Sequence, residues 1–182
     1  MNNLKKWVKA FFKYHLYIIP LFIAIDLVSK YLVEDFLLKN GRDVVIIKDF
    51  FNITLIYNKG AFSGFLGDTV FGRVILLLLS IAGTIGGSYY LYKKYHKMNI
   101  ILKIGLYLLI PGAAGNLVDR FLMVCGLQEG VIDFLHFYNL PIIGDFNVFN
   151  FADMCLTVSI VLVLVGYILD EKKNEKKVEN NG

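Results

Sequence analysis

The chain has 182 residues, 57% of them hydrophobic, with a mean hydropathy of +0.59 and a formal charge of +4. That composition is too apolar for a soluble domain of this length, which needs a polar surface around its core. The cations gather at the ends of hydrophobic runs and form no basic face with interleaved aromatics, which excludes nucleic acid and indicates a membrane.

The first predicted span, about residues 16–33, follows Lys5, Lys6, Lys9 and Lys13. A cleaved signal peptide is the alternative reading. Against it, the run is long, contains Asp26 and Lys30, and has no small-residue cleavage site after it. It is read as a retained helix, on which Asp26 and Lys30 lie four apart, share a face and can pair. Ser29 beside Lys30 invites a Ser/Lys protease, but adjacent helical residues point in different directions and no partner motif is present.

Residues 39–73 change character. Val44-Val45-Ile46-Ile47 and Ile53-Thr54-Leu55-Ile56-Tyr57 are short β-branched runs bounded by Asn40-Gly41-Arg42-Asp43 and Asn58-Lys59-Gly60. They predict strands of a small sheet outside the hydrocarbon, with a loop or short interfacial helix over Ala61 to Val70. The second span, about 74–92, is an unbroken apolar run ending in Lys93-Lys94-Tyr95-His96-Lys97. The third, about 100–117, carries Lys103 near its start, where the side chain can snorkel, and Pro111-Gly112 inside. The fourth, about 151–169, precedes a Lys/Glu-rich tail at 171–182 with little to bury, expected to be disordered. The fold class read from this pattern is a single membrane domain over 1–170. It has an all-α core of four transmembrane helices and a small extracytoplasmic β-rich segment between helices 1 and 2.

Twelve of the nineteen Lys/Arg residues lie in the N-terminal arm, around the 93–103 turn, or in the tail. The positive-inside rule makes those three regions, and hence both termini, cytoplasmic. Residues 34–73 and 120–150 are then on the outer face. Asn116, Asp119, Arg120, Asp133, Asn150 and Asp153 converge on the outer ends of spans three and four, with Lys30, Asn58 and Gly60 nearby. Ionisable groups at membrane depth are costly, so this convergence is the main argument for a functional site.

Asn116, Asp119 and Arg120 stand at i, i+3 and i+4 on one helical face; the bland alternative is a polar cap anchored at the headgroups. Asn150 and Asp153 precede an apolar run, so Asn150 also reads as an N-cap and Asp153 as the acid that complements the helix dipole. Asp133 stands in a short apolar run, Val131-Ile132-Asp133-Phe134-Leu135, where desolvation favours its neutral form. If Asp133 and Asp153 meet, they form a carboxylate pair sharing one proton, able to activate water and polarise a carbonyl. The twenty-residue spacing permits that meeting and does not require it. Cys125 and Cys155 lack ligand spacing and read as plain thiols, and His15, His96 and His136 are scattered. No metal or cofactor is expected.

Five motifs occur in order: Asp26-Leu27-Val28-Ser29-Lys30, Asn58-Lys59-Gly60-Ala61, Gly115-Asn116-Leu117-Val118-Asp119-Arg120, Val131-Ile132-Asp133-Phe134 and Phe149-Asn150-Phe151-Ala152-Asp153. Over roughly residues 15 to 170 the chain resembles the lipoprotein signal peptidase (signal peptidase II) family. The resemblance implies an intramembrane aspartic endopeptidase of the bacterial cytoplasmic (inner) membrane. Such an enzyme cuts diacylglyceryl-modified prolipoproteins before the lipidated cysteine, and globomycin-type cyclic peptides inhibit it. It implies that Asp133 and Asp153 are catalytic. Asn58, Gly60, Asn116, Arg120 and Asn150 would bind substrate, and Asp26, Lys30 and Asp119 would be structural support. The expected partners are the prolipoprotein and membrane lipids, with no nucleic acid and a monomeric chain.

Three departures from the family pattern are visible. Ala114-Gly115 stands in place of two glycines, Ala61-Phe62-Ser63 in place of Ala-Ala-Phe, and the segment from Phe121 to Gly130 is longer than usual. Two rival classes remain on the residues alone. A proton-coupled transporter would carry polar groups through the full depth, which spans two and four lack in their inner halves. A structural protein would use the same groups only as caps.

Overall fold

Residues 16–60, 66–67 and 69–179 are described by the computed structural model. Their elements follow in the order α1 (Ile18–Asn40), β1 (Asp43–Ile47), β2 (Phe51–Asn58), α2 (Val70–Lys94), α3 (Ile100–Val124), β3 (Val131–Phe137) and α4 (Phe151–Glu179). The lysine arm, His15, the Ala61-Phe62-Ser63 departure and the last three residues lie outside the described residues.

By length and composition, α2, α3 and α4 can each cross a bilayer. Four spans were expected, and α1 is not among these three because Asp26, Lys30, Glu34 and Asp35 break its apolar run. Its burial pattern is inverted. Asp26 and Lys30 are buried, while Leu21, Ile25, Val28 and Leu32 face outward. Thr69 caps the start of α2 by accepting from Gly72 N at 3.0 Å, and Asn99 caps α3 by accepting from Leu102 N at 2.9 Å.

The central helix is α3, which packs against α1, α2 and α4. Its seam with α4 is lined by glycines. A Cβ added at Gly112 would lie 2.8 Å from the Ala152 carbonyl oxygen, and one at Gly166 would lie 2.6 Å from Leu102 N. Membrane helices lack a hydrophobic drive toward one another, so such close approach is how they gain contact. The helix α3 continues to Val124, beyond the predicted end at 117, which places Asn116, Asp119 and Arg120 on regular helical turns. The helix α4 likewise runs to Glu179, which corrects the disordered tail expected from 171. Glu and Lys are strong helix formers, so the backbone propagates after the apolar run ends.

The sheet has the order β1-β2-β3, antiparallel throughout. Its third strand, the short apolar run around Asp133, comes from between α3 and α4, so the sheet is not confined to the segment between the first two helices. One face of the sheet packs Leu55, Ile132 and Phe134 against Leu37 of α1. The β2–β3 register sets Asn58 opposite Val131 and Ile56 opposite Asp133. A bridge from Leu135 to Phe149 then brings Asn150, at the start of α4, alongside β3.

Candidate active site

The polar network begins at Lys30, which is 1% exposed. Its ammonium meets Asp26 Oδ2 and Asp119 Oδ2, each at 2.7 Å, and donates to Asn116 Oδ1 at 3.1 Å. An ammonium has three N–H donors, so this one is satisfied inside the bundle. The other oxygen of Asp26 accepts from Ala152 N at 2.8 Å, which ties α1 to the first turn of α4. Gly115 is required here because a Cβ at that position would collide with the Asp26 carboxylate. The hydroxyl of Ser29 bonds the Asp26 carbonyl of its own helix at 2.9 Å, which leaves it no role as a nucleophile partnered by Lys30.

Because Lys30 takes the oxygen of the Asn116 amide, the nitrogen must point the other way. It donates to Asp153 Oδ1 at 2.7 Å. Asn150 is fully buried and works in two directions. Its Oδ1 accepts from Asp153 N at 2.9 Å, which is the predicted helix-cap contact, and its Nδ2 donates to Asp133 Oδ1 at 2.7 Å. The same Nδ2 lies 3.1 Å from Asn116 Oδ1 and 3.3 Å from the Ile132 carbonyl. Capping and site-building are therefore both true of one residue. Asn58 donates to Asp133 Oδ2 at 2.9 Å, and its own oxygen accepts from Gly60 N at 3.0 Å. Gly60 enters the network only through that backbone contact, which orients Asn58.

Asp133, on β3, is 1% exposed. Burial pushes its carboxyl up to about 7, and the charge of Asp153 acts in the same direction; the bonds from Asn58 and Asn150 and the charge of Lys30 oppose them. The two aspartates are linked through Asn150, whose backbone N–H lies 3.4 Å from Asp153 Oδ2 and whose side chain donates to Asp133 Oδ1. Arg120 is 9% exposed, and the charges of Asp153, Asp133 and Asp119 act on it. Its Nε has no hydrogen-bond partner among the described residues.

Nine of the ten residues singled out in the sequence thus lie in one hydrogen-bonded cluster, Gly60 by its backbone; Arg120 follows Asp119 on α3 and makes no hydrogen bond or ion pair to the cluster among the described residues. Two contributors went unseen. Ala152 acts through its backbone N–H, which no side chain announces. Gln128 lies in the 121–130 segment and reaches Asp119 Oδ1 at 3.0 Å and the Gly130 carbonyl at 2.6 Å.

The family model for signal peptidase (SPase) II matches residues 18–169. Two solved structures are similar, each described as a bacterial membrane enzyme determined by the in meso method. The one at 2.3 Å resolution has a TM-score of 0.67 at 28% identity, covering 87% of this chain and 89% of its own. The one at 1.9 Å has a TM-score of 0.62 at 29% identity, covering 82% and 89% respectively.

Proposed function

The chain belongs to the signal peptidase II family of aspartic peptidases, and we propose from that premise that it removes the signal peptide of diacylglyceryl-modified prolipoproteins, cutting before the lipidated cysteine. The observation that carries this reading is the pair of carboxylates, buried Asp133 and half-buried Asp153, oriented by the same asparagine. Asp133 holds the shared proton and Asp153 is the base. Asp153 takes a proton from water as the water oxygen attacks the scissile carbonyl carbon. Asp133 gives its proton to the carbonyl oxygen, forming a gem-diol. Collapse of the gem-diol then breaks the C–N bond, with one proton passing to the leaving nitrogen and one returning to the pair.

Arg120, whose Nε has no hydrogen-bond partner among the described residues, holds a backbone carbonyl of the substrate. Asn58 and Gly60 border the peptide, while Asn116 and Asn150 hold the carboxylates and line the cut. Asp26, Lys30 and Asp119 are support. Both termini are cytoplasmic and α1 crosses the membrane with the other three helices, its charged residues turned inward and its apolar ones toward lipid. Asn99 bonds Asp170 and Gly166, so the start of α3 and the far end of α4 share the lysine-rich end of the bundle. From Asn99 to Asn116 the helix rises about 25 Å, against a hydrocarbon core of about 30 Å, which supports a dyad near the outer face. The diacylglycerol chains lie in the bilayer against the outward-facing apolar side chains of the helices, and globomycin-type cyclic peptides compete for the cleft. The chain acts as a monomer.

Two measurements test the reading. Purified protein in micelles is expected to cleave a diacylglyceryl-modified prolipoprotein and to leave the same chain with a free cysteine essentially uncut. Equal cleavage of the two would remove lipid recognition from the proposal. The second is the pH profile of kcat/KM. Asp133 must be neutral to donate, and a carboxyl is neutral only below its pKa, so the rate should fall as pH rises through about 7. These values belong to the pair as a unit. A rate unchanged between about pH 6 and about pH 9 would rule out the proton-sharing pair.

A further inference from the structure

Resting on the dyad reading above, we infer that Gln128 is a positioning residue that couples the supports of the two carboxylates from the loop between α3 and β3. One amide nitrogen makes both contacts. Toward α3, Gln128 Nε2 donates to Asp119 Oδ1 at 3.0 Å. The other oxygen of Asp119 holds the Lys30 ammonium, Lys30 holds Asn116 Oδ1, and the remaining face of Asn116 donates to Asp153. Toward the sheet, the same nitrogen donates to the Gly130 carbonyl at 2.6 Å. Gly130 is packed so tightly on β2 that a Cβ there would lie 2.8 Å from the backbone carbonyl of Asn58, the residue whose side chain donates to Asp133. An amide NH2 has two hydrogens and here two acceptors, so its donor capacity is used in full.

The consequence is geometric. Asp153 rides on α4 and Asp133 on β3, so their separation depends on the helix bundle and the sheet staying in register. Leu127 and Glu129, either side of Gln128, are exposed, and the loop between α3 and β3 has no other side-chain contact to Asp119 among the described residues. Gln128 touches neither aspartate, so it acts through Asp119 and Gly130. Its loss would let Asp119, and with it Lys30 and Asn116, settle in more than one arrangement. Catalysis is sensitive to such shifts because the bound water must meet both carboxyls at once.

Gln128→Met keeps the length of the side chain and removes its donors. In the micelle assay with a diacylglyceryl-modified prolipoprotein, kcat is expected to fall by about tenfold with KM unchanged. Gln128→Lys, which restores N–H donors at this position, should recover most of that loss. If Gln128 works partly through Asp119, the Gln128→Met/Asp119→Ala double variant should lose less than the two single losses combined, because the Asp119 contact is already gone and only the Gly130 contact is left to lose. Wild-type kcat in Gln128→Met, no recovery in Gln128→Lys, or fully additive losses in the double variant would each overturn the assignment. A loss that appears equally in KM and in the thermal midpoint would also overturn it, by making Gln128 a general loop anchor. Failure of the wild-type protein to cleave the substrate would instead overturn the proposed function, so the two failures are distinguishable.

Discussion

Asp133→Asn and Asp153→Asn are each expected to lower kcat by about a thousandfold, with the thermal midpoint in detergent near that of the unaltered protein. Asparagine preserves the shape of both side chains and one of their acceptor oxygens. At Asp133, the oxygen can still accept from Asn58 or Asn150, and a buried carboxylate has been removed from a site where burial penalises its charge. At Asp153, asparagine keeps an acceptor for the Asn116 amide. Neither change should unfold the protein, yet both remove the ionisable group that moves the proton. The contrast with a purely structural role is sharp, because a first-turn acid supporting a cap contributes only modestly to a helix of this length. A cap-only role for Asp153 predicts a nearly silent substitution. Cleavage at the unaltered rate by either variant would sink the dyad.

Local pattern made the helices legible, and long-range pairing hid the rest. Apolar runs located α2, α3 and α4, since a bilayer demands continuous hydrophobicity over a known length. Their ends were misjudged because Asn116, Asp119 and Arg120 read as the polar exit of a span. They are in fact the interior of a helix that runs to Val124, with its polar face turned to Lys30. The strand β3 went unseen for a related reason. Val131 to Phe137 has the β-branched and aromatic character of a strand, but its partner β2 is more than seventy residues away and no hairpin turn joins them. Once Asp133 is known to sit opposite Ile56, its nearness to Asn58 follows, and so does the Asn58–Asp133 bond.

The site was legible as a list and only partly as an arrangement. Depth singled out nine positions, because a buried charge without a purpose is too costly to keep, and the four-residue spacing from Lys30 added Asp26. Their wiring could not be read from spacing. Asn116 lies four residues before Arg120, yet its partners Lys30 and Asp153 are on other helices. Asn150 offered two readings, cap and site, and the geometry satisfies both because an asparagine amide has an acceptor end and a donor end.

Lys30→Met is expected to be the most destabilising single change in the support, at about 3–5 kcal/mol, because it strands two buried carboxylates. Asp26 and Asp119 each lose a cation at 2.7 Å, and neither can reach water to compensate. For a chain of this size the midpoint of thermal unfolding should drop by roughly 10 °C. The ion group as a whole need not add much stability, since desolvating three charges offsets most of their attraction. The cost comes from breaking it unevenly, and that distinction can be measured. Adding Asp26→Asn and Asp119→Asn to Lys30→Met removes the stranded charges. Asparagine still offers an oxygen to Ala152 N and to Gln128, so much of the lost midpoint should return. Activity should not return with it. Without the ammonium, the Asn116 oxygen keeps only the shared Asn150 amide as a donor, so its amide nitrogen is held less firmly on Asp153. A triple variant as unstable as Lys30→Met would show that Lys30 acts by packing. One that regained both stability and full cleavage would show that Asn116 needs no such guide.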